Sequence, residues 1–302
     1  MTKTYLFPAL IANMSTLAIT TIQTNLHLED KGANLEMFQE KIFSIKEKTE
    51  IIVLPEMFST GFSMQPAKLA ETMDGNTVSW MKKIAQNKKA VVTGSLIIKE
   101  PAASFGHKDR DEVYFNRLIW MLPNGQFGVY DKRHRFAFAG EDQYYTAGNK
   151  RLVASVKGWK INLQVCYDLR FPVWARQAPS EPPPPAGGEE PANSQGPEYD
   201  LLIYVANWPE RRSAAWKTLL QARAIENQCY VSGVNRVGND GNGIYHSGDS
   251  MVIDPMGEIM YHKKDEEDIF TAVLSKDHLH SIREKFPFWK DADEFKIIND
   301  DE

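Results

Sequence analysis

The sequence predicts an α/β fold on three observations. β-rich runs alternate with stretches whose apolar residues recur every three or four positions, Gly, Pro and Asn punctuate the alternation, and an apolar share of 42% over 302 residues is enough for a full core. A strand is predicted at 16–22. Leu35, Phe38, Ile42 and Ile45 then mark one stripe of a helix over 33–48. A short buried strand at 51–54 ends at Pro55, and Val78, Met81 and Ile84 predict a helix over 77–87, followed by a strand at 90–98. Strands at 113–122 and 127–131 flank Pro123-Asn-Gly-Gln126, where Asn-Gly predicts a type I′ hairpin turn.

The second half continues the alternation. Strands at 152–156 and 160–165 pair around Gly158, and 201–206 is a buried-type strand. Residues 210–228 are predicted helical with Ala214, Leu219, Leu220 and Ile225 inward, and the chain returns as a strand at 230–234. A hairpin of 250–254 with 258–262 turns over Pro-Met-Gly, and the last strand is 269–274. The stretch 179–197 carries seven of the sixteen prolines among Gly, Ser and Glu, which is loop chemistry. The expected organisation is one domain over 14–290 with that insertion, and terminal extensions at 1–13 and 291–302. No internal repeat is visible.

Composition excludes several partners. A net charge of −5 leaves no basic surplus for a nucleic-acid backbone. No apolar run approaches the roughly 20 residues of a membrane helix. Cys166 and Cys229 form neither a disulfide framework nor a CxxC motif, which suits a reducing, cytoplasmic setting. The start, with Lys3 before an apolar run from Tyr5 to Ala12, loosely mimics a leader, but it holds Pro8 and lacks an A-x-A site; Met14 is an alternative initiator.

Cys166 ends an apolar strand and opens a polar turn, the position where α/β folds place ligands. Alone, it fits a buried structural cysteine as well as a nucleophile. A nucleophile needs a base and a charge partner, and Glu56 and Lys132 stand just beyond two other strands. Each alone fits a surface charge; together a carboxylate, an ammonium and a thiol at three adjacent strand ends form an acyl-transfer kit. His134 fits a turn-organising residue, Cys229 a packing residue and Asp240-Gly-Asn-Gly243 a plain turn. His278 and His280 belong to no recognisable metal-ligand set, so no metal is expected.

Leu-Pro-Glu-Met-Phe-Ser-Thr-Gly-Phe at 54–62, Tyr-Asp-Lys-Arg-His at 130–134, Ala-Gly-Glu-Asp-Gln-Tyr-Tyr-Thr-Ala-Gly-Asn at 139–149 and Val-Cys-Tyr-Asp-Leu-Arg-Phe-Pro at 165–172 closely resemble the nitrilase superfamily of carbon–nitrogen hydrolases over roughly 15–290. Ile203-Tyr-Val-Ala-Asn-Trp-Pro209, with Arg223-Ala-Ile-Glu-Asn-Gln228 and Gly233-Val-Asn-Arg-Val-Gly238, resembles its omega-amidase branch. The resemblance implies a four-layer αββα sandwich, no cofactor, a homodimer, and a Glu56–Lys132–Cys166 triad acting on a small omega-amide such as 2-oxoglutaramate. It also implies a supporting role for Glu141, while the backbone N–H of Tyr167 is expected to help hold the oxyanion. Phe62 and Trp208 are candidate pocket residues. Arg135, which departs from the family's apolar residue, either faces solvent or reaches inward to an acidic substrate. Nitrile or carbamoyl hydrolysis by the same triad is the alternative chemistry, and a silent partner-binding protein using the proline-rich loop is the alternative class.

Overall fold

The computed structural model describes residues 15–106, 109–177, 196–293 and 295–298. Residues 1–13 and nearly all of the proline-rich stretch lie outside them. In chain order the elements are β1 (Thr16–Gln23), α1 (Lys31–Ser44), β2 (Ile51–Val53), α2 (Pro66–Leu69), α3 (Asn76–Lys88), β3 (Val91–Pro101), β4 (Glu112–Met121), β5 (Phe127–Asp131), α4 (Glu141–Tyr144), β6 (Val153–Val156), β7 (Trp159–Val165), α5 (Pro172–Ala175), β8 (Leu201–Ala206), α6 (Ser213–Asn227), β9 (Tyr230–Asn235), β10 (Val237–Asn239), β11 (Tyr245–Ile253), β12 (Ile259–Lys264), β13 (Asp268–Ser275) and α7 (Lys276–Lys285).

Two mixed sheets result. One has the order β13-β1-β2-β3-β4-β5; the other runs β10-β11-β9-β8-β7-β6, with β12 also paired to β11. Strand alternation sorts their side chains into layers. Ile51 and Val53 face the second sheet, in one core with Ile161, Leu163 and Val165, while Ile52 and Leu54 face outward to Phe38 and Ile42 of α1 and Met81 and Ile84 of α3. On the far side Trp216, Leu220 and Ala224 of α6 and Leu279 of α7 close the inner core. The layers are therefore helix, sheet, sheet, helix. Although the sequence shows no repeat, both sheets contain three parallel strands followed by antiparallel ones, β1-β2-β3 then β4, and β7-β8-β9 then β11.

Several elements differ from the sequence expectation. Helix α1 starts two residues early because the Asp30 carboxylate accepts from the Ala33 N–H at 3.0 Å. The predicted inner face of the sixth helix is rotated: Ile225 is exposed, and Trp216, Leu220, Arg223, Ala224 and Asn227 are buried. Tertiary bonds override the apolar pattern, with Trp216 Nε1 donating to the Asp249 carbonyl (2.8 Å) and Arg223 Nη2 to the Leu169 carbonyl (2.6 Å). The turn at 122–126 is not type I′, since only Gly125 has a positive φ (84°), and the Asn124 side chain instead accepts from the Gln126 N–H. The short helices, β10 and the capped α7 were not predicted.

Candidate active site

Glu56 lies three residues past β2, Lys132 directly past β5 and Cys166 directly past β7. These strand ends are not adjacent, contrary to the expectation. β3 and β4 separate β2 from β5, and β7 belongs to the other sheet. The gap is bridged in two ways. The chain after β2 continues beside β3, with Phe58 N–H donating to the Ser95 carbonyl (3.0 Å) and Met57 N–H to Ser95 Oγ (2.9 Å). This close passage needs Gly94, where a Cβ would lie 2.9 Å from both Leu54 Cβ and Phe58 Cδ1. Asn116 on β4 then spans the remaining distance, its Nδ2 donating to Glu56 Oε1 (2.8 Å) and Glu141 Oε1 (3.2 Å).

Lys132 Nζ sits between two carboxylates. It donates to Glu56 Oε1 at 2.9 Å and to both oxygens of Glu141 at 3.0 and 2.8 Å, with all three side chains buried. Glu56 Oε2 accepts from the Asn207 N–H at 2.8 Å, and Glu141 Oε2 from the Phe136 N–H at 2.5 Å. Burial works against the Lys132 ammonium, but Glu141 and Glu56 more than offset it and hold its pKa well above the ordinary lysine value. Burial, helped by the nearby Glu56 charge and opposed by Lys132, raises that of Glu141.

Cys166 takes φ +46°, a left-handed conformation that costs a non-glycine residue about 1–2 kcal/mol. Asp168 holds the turn. One of its oxygens accepts from the Val165 N–H (3.0 Å) and Tyr130 OH (2.7 Å), and the other meets the His134 N–H (2.9 Å) and Nδ1 (2.8 Å). The nucleophile's turn is thereby tied to the segment carrying Lys132. His134, stacked on Phe171 at 3.8 Å, organises that turn. Burial first, then Glu56, pushes the Cys166 thiol well up, more than Lys132 pulls it down. Cys229 is fully buried, its thiol likewise raised by desolvation, and it packs in the core.

Cys166 opens on a cavity of about 520 Å³, which Lys132, Tyr167, Phe62 and Trp208 also line. Arg135 does not face it. Its guanidinium donates to the Tyr145 carbonyl at 3.0 Å and borders a separate groove, which corrects the inward alternative. The sequence reading missed Arg170, Arg211, Arg212 and His246, and took Asp240 for a plain turn residue, yet all five line the cavity. Arg170 stands inside the 165–172 motif but nothing in the motif says where its side chain goes, and the others come from the β8–α6 connection, the β10–β11 turn and β11, separate stretches of the sheet that carries Cys166. Burial beside Arg236 lowers the His246 pKa to about 4. Among the described residues no three His, Cys, Asp or Glu side chains converge as a metal site requires.

The chain is similar to several known proteins. The carbon–nitrogen hydrolase family model matches residues 17–181 and 192–284. The omega-amidase YafV of Escherichia coli K12 is 42% identical over 288 residues, covering 94% of this chain and all of that protein. The 2-oxoglutaramate amidase of Bacillus subtilis is 27% identical over 275 residues, covering 90% and 96%. Among solved structures, XC1258 of Xanthomonas campestris, a CN-hydrolase superfamily protein with an arsenic adduct in its active site, superposes with a TM-score of 0.83 at 39% identity, covering 93% of this chain and 99% of that one. With its motifs, its two-sheet fold and these similarities in agreement, the chain belongs to the carbon–nitrogen hydrolase family.

Proposed function

We propose that the protein hydrolyses the terminal carboxamide of a small omega-amide, of which 2-oxoglutaramate is the model, through a Cys166 thioester. The observation that carries the reading is the Lys132 ammonium held between Glu56 and Glu141 beside a thiol in a strained turn, at the base of a cavity sized for a small molecule. The names of two similar proteins, an omega-amidase and a 2-oxoglutaramate amidase, support the substrate class.

In this mechanism the resting nucleophile is a thiol, because its proton is held by burial and by Glu56. Glu56 takes that proton as Sγ attacks the carboxamide carbon. The oxyanion is held by the Lys132 ammonium and the Tyr167 backbone N–H, donors in place before reaction. Glu56 passes the proton to nitrogen, the C–N bond breaks and ammonia leaves. The same carboxylate then draws a proton from water, which hydrolyses the thioester and restores the thiol. Glu141 keeps Lys132 charged throughout, and no cofactor is invoked.

The proposal extends to one catalytic domain over 14–290, a homodimer as in the family the motifs resemble, and a cytoplasmic setting suited to two unpaired cysteines. Light scattering on the purified protein tests the dimer. The activity is tested by ammonia release from 2-oxoglutaramate, glutamine, succinamate and a set of nitriles, with Cys166→Ala in parallel. Release from the omega-amides that disappears in the variant is expected; release from nitriles alone would replace the reading with nitrile hydrolysis.

A further inference from the structure

Three arginines line the cavity, and no carboxylate pairs with them among the described residues. Arg212 is half-buried, its guanidinium over the Phe136 ring at 5.0 Å and its carbonyl accepting from Trp208 Nε1 at 2.8 Å. Arg170 lies over the Trp208 ring at 5.0 Å, and Arg211 is exposed. The other charges of the cavity are already engaged. Glu29 accepts from Ser63 Oγ (2.7 Å), Gln65 Nε2 (2.9 Å) and Lys68 Nζ (3.2 Å). Asp240 Oδ1 accepts from the Asn242 and Ile244 N–H groups at 2.8 and 2.9 Å, and Lys132 is matched by its two glutamates. The cations of the lining without a carboxylate partner among the described residues are the arginines. Burial, with Arg211 and Arg170 nearby, lowers the pKa of Arg212, as expected of a cation lacking its counter-ion.

We propose that Arg212 is the specificity-determining residue of this site, binding the carboxylate at the far end of the substrate, so that half-amides of dicarboxylic acids are selected over uncharged amides. The inference rests on the amide-hydrolase reading above. A guanidinium presents paired N–H donors that match a carboxylate, and its contact with the Phe136 ring holds it at the cavity wall in advance. Phe136 is also the residue whose N–H is held by Glu141. One short segment therefore carries both the platform under Arg212 and a contact to the partner of Lys132, fixing the distance between the carboxylate end and the reacting end of a substrate.

The test compares succinamate with butanamide, in which a methyl replaces the carboxylate, for the wild type, Arg212→Gln and Arg212→Lys. Wild type is expected to prefer succinamate. In Arg212→Gln, kcat/KM for succinamate should fall about 100-fold, chiefly through KM, with butanamide unchanged within about twofold. Arg212→Lys should recover part of the preference. An equal fall on both amides would make Arg212 a structural residue, and an unchanged preference would remove it as a contact; either overturns the proposal while leaving amide hydrolysis standing. Wild type releasing ammonia from neither amide would overturn the parent reading and this one with it.

Discussion

Lys132 and Glu141 meet through both carboxylate oxygens, at 3.0 and 2.8 Å, with neither side chain open to water. Glu141 opens a four-residue helix only nine positions after the lysine, so a local loop supplies the lysine's second counter-charge. Glu56, seventy-six positions before the lysine, supplies the other. Burial first, and then the net negative charge that two carboxylates around one ammonium leave beside the thiol, keep the proton on Cys166 until a base removes it.

Breaking this pair should be costly. Glu141→Gln is expected to lower stability by about 1–3 kcal/mol, because Lys132 keeps Glu56 as counter-charge but loses a two-oxygen acceptor, read by urea unfolding. Lys132→Ala is expected to lose about 2–4 kcal/mol of transition-state stabilisation, seen as reduced kcat/KM. Near-normal turnover by the Lys132 variant would remove the ammonium from the chemistry.

Glu56→Gln should separate acidity from turnover. Since the Glu56 charge helps to raise the thiol's pKa, neutralising it should shift the midpoint of Cys166 alkylation by iodoacetamide to lower pH. Ammonia release should nevertheless fall about 10²–10⁴-fold, because the base is gone. A midpoint that stayed in place or rose would contradict the assigned proximity.

Asp168 anchors the nucleophile's turn through four contacts, so Asp168→Ala leaves several buried donors unpaired. A loss of about 2–4 kcal/mol is expected. Activity should drop by more than the unfolded fraction explains, because Cys166 can leave its left-handed conformation. Alkylation kinetics of the folded fraction, compared with wild type, provide the check.

His246 predicts a pH dependence. Its folded pKa of about 4 lies below the ordinary value near 6.5, so the unfolded chain binds the proton first as pH falls. Its contribution is fully present above about pH 6.5 and is lost progressively down to about pH 4, to a total of about 3 kcal/mol. His246→Gln should therefore flatten the fall of thermal stability across that window. An identical slope in both proteins would show that other groups govern it.

Much of this protein was legible in its sequence, for reasons of local physics. Strand and helix periodicities are short-range, so most of the long strands and helices were readable, and Cys166, Glu56 and Lys132 each follow a predicted strand. The left-handed Cys166 and the Asp168 that holds its turn lie in one contiguous motif, so the sequence could carry the whole turn.

Tertiary structure decided what depends on two sheets meeting. That Glu56 and Lys132 come from one sheet and Cys166 from the other, joined through Asn116 of a strand between, has no local signature. The buried face of α6 was set by bonds from Trp216 and Arg223 to distant carbonyls, which no apolar pattern encodes. Arg135, chosen from a position next to a motif, turned to a surface groove, whereas Arg212, outside every motif, and Arg170, inside one but with no sign of its direction, arrived over Phe136 and Trp208 in the cavity. Charge in a pocket is summed over every loop that borders it, and only the folded chain brings those loops together.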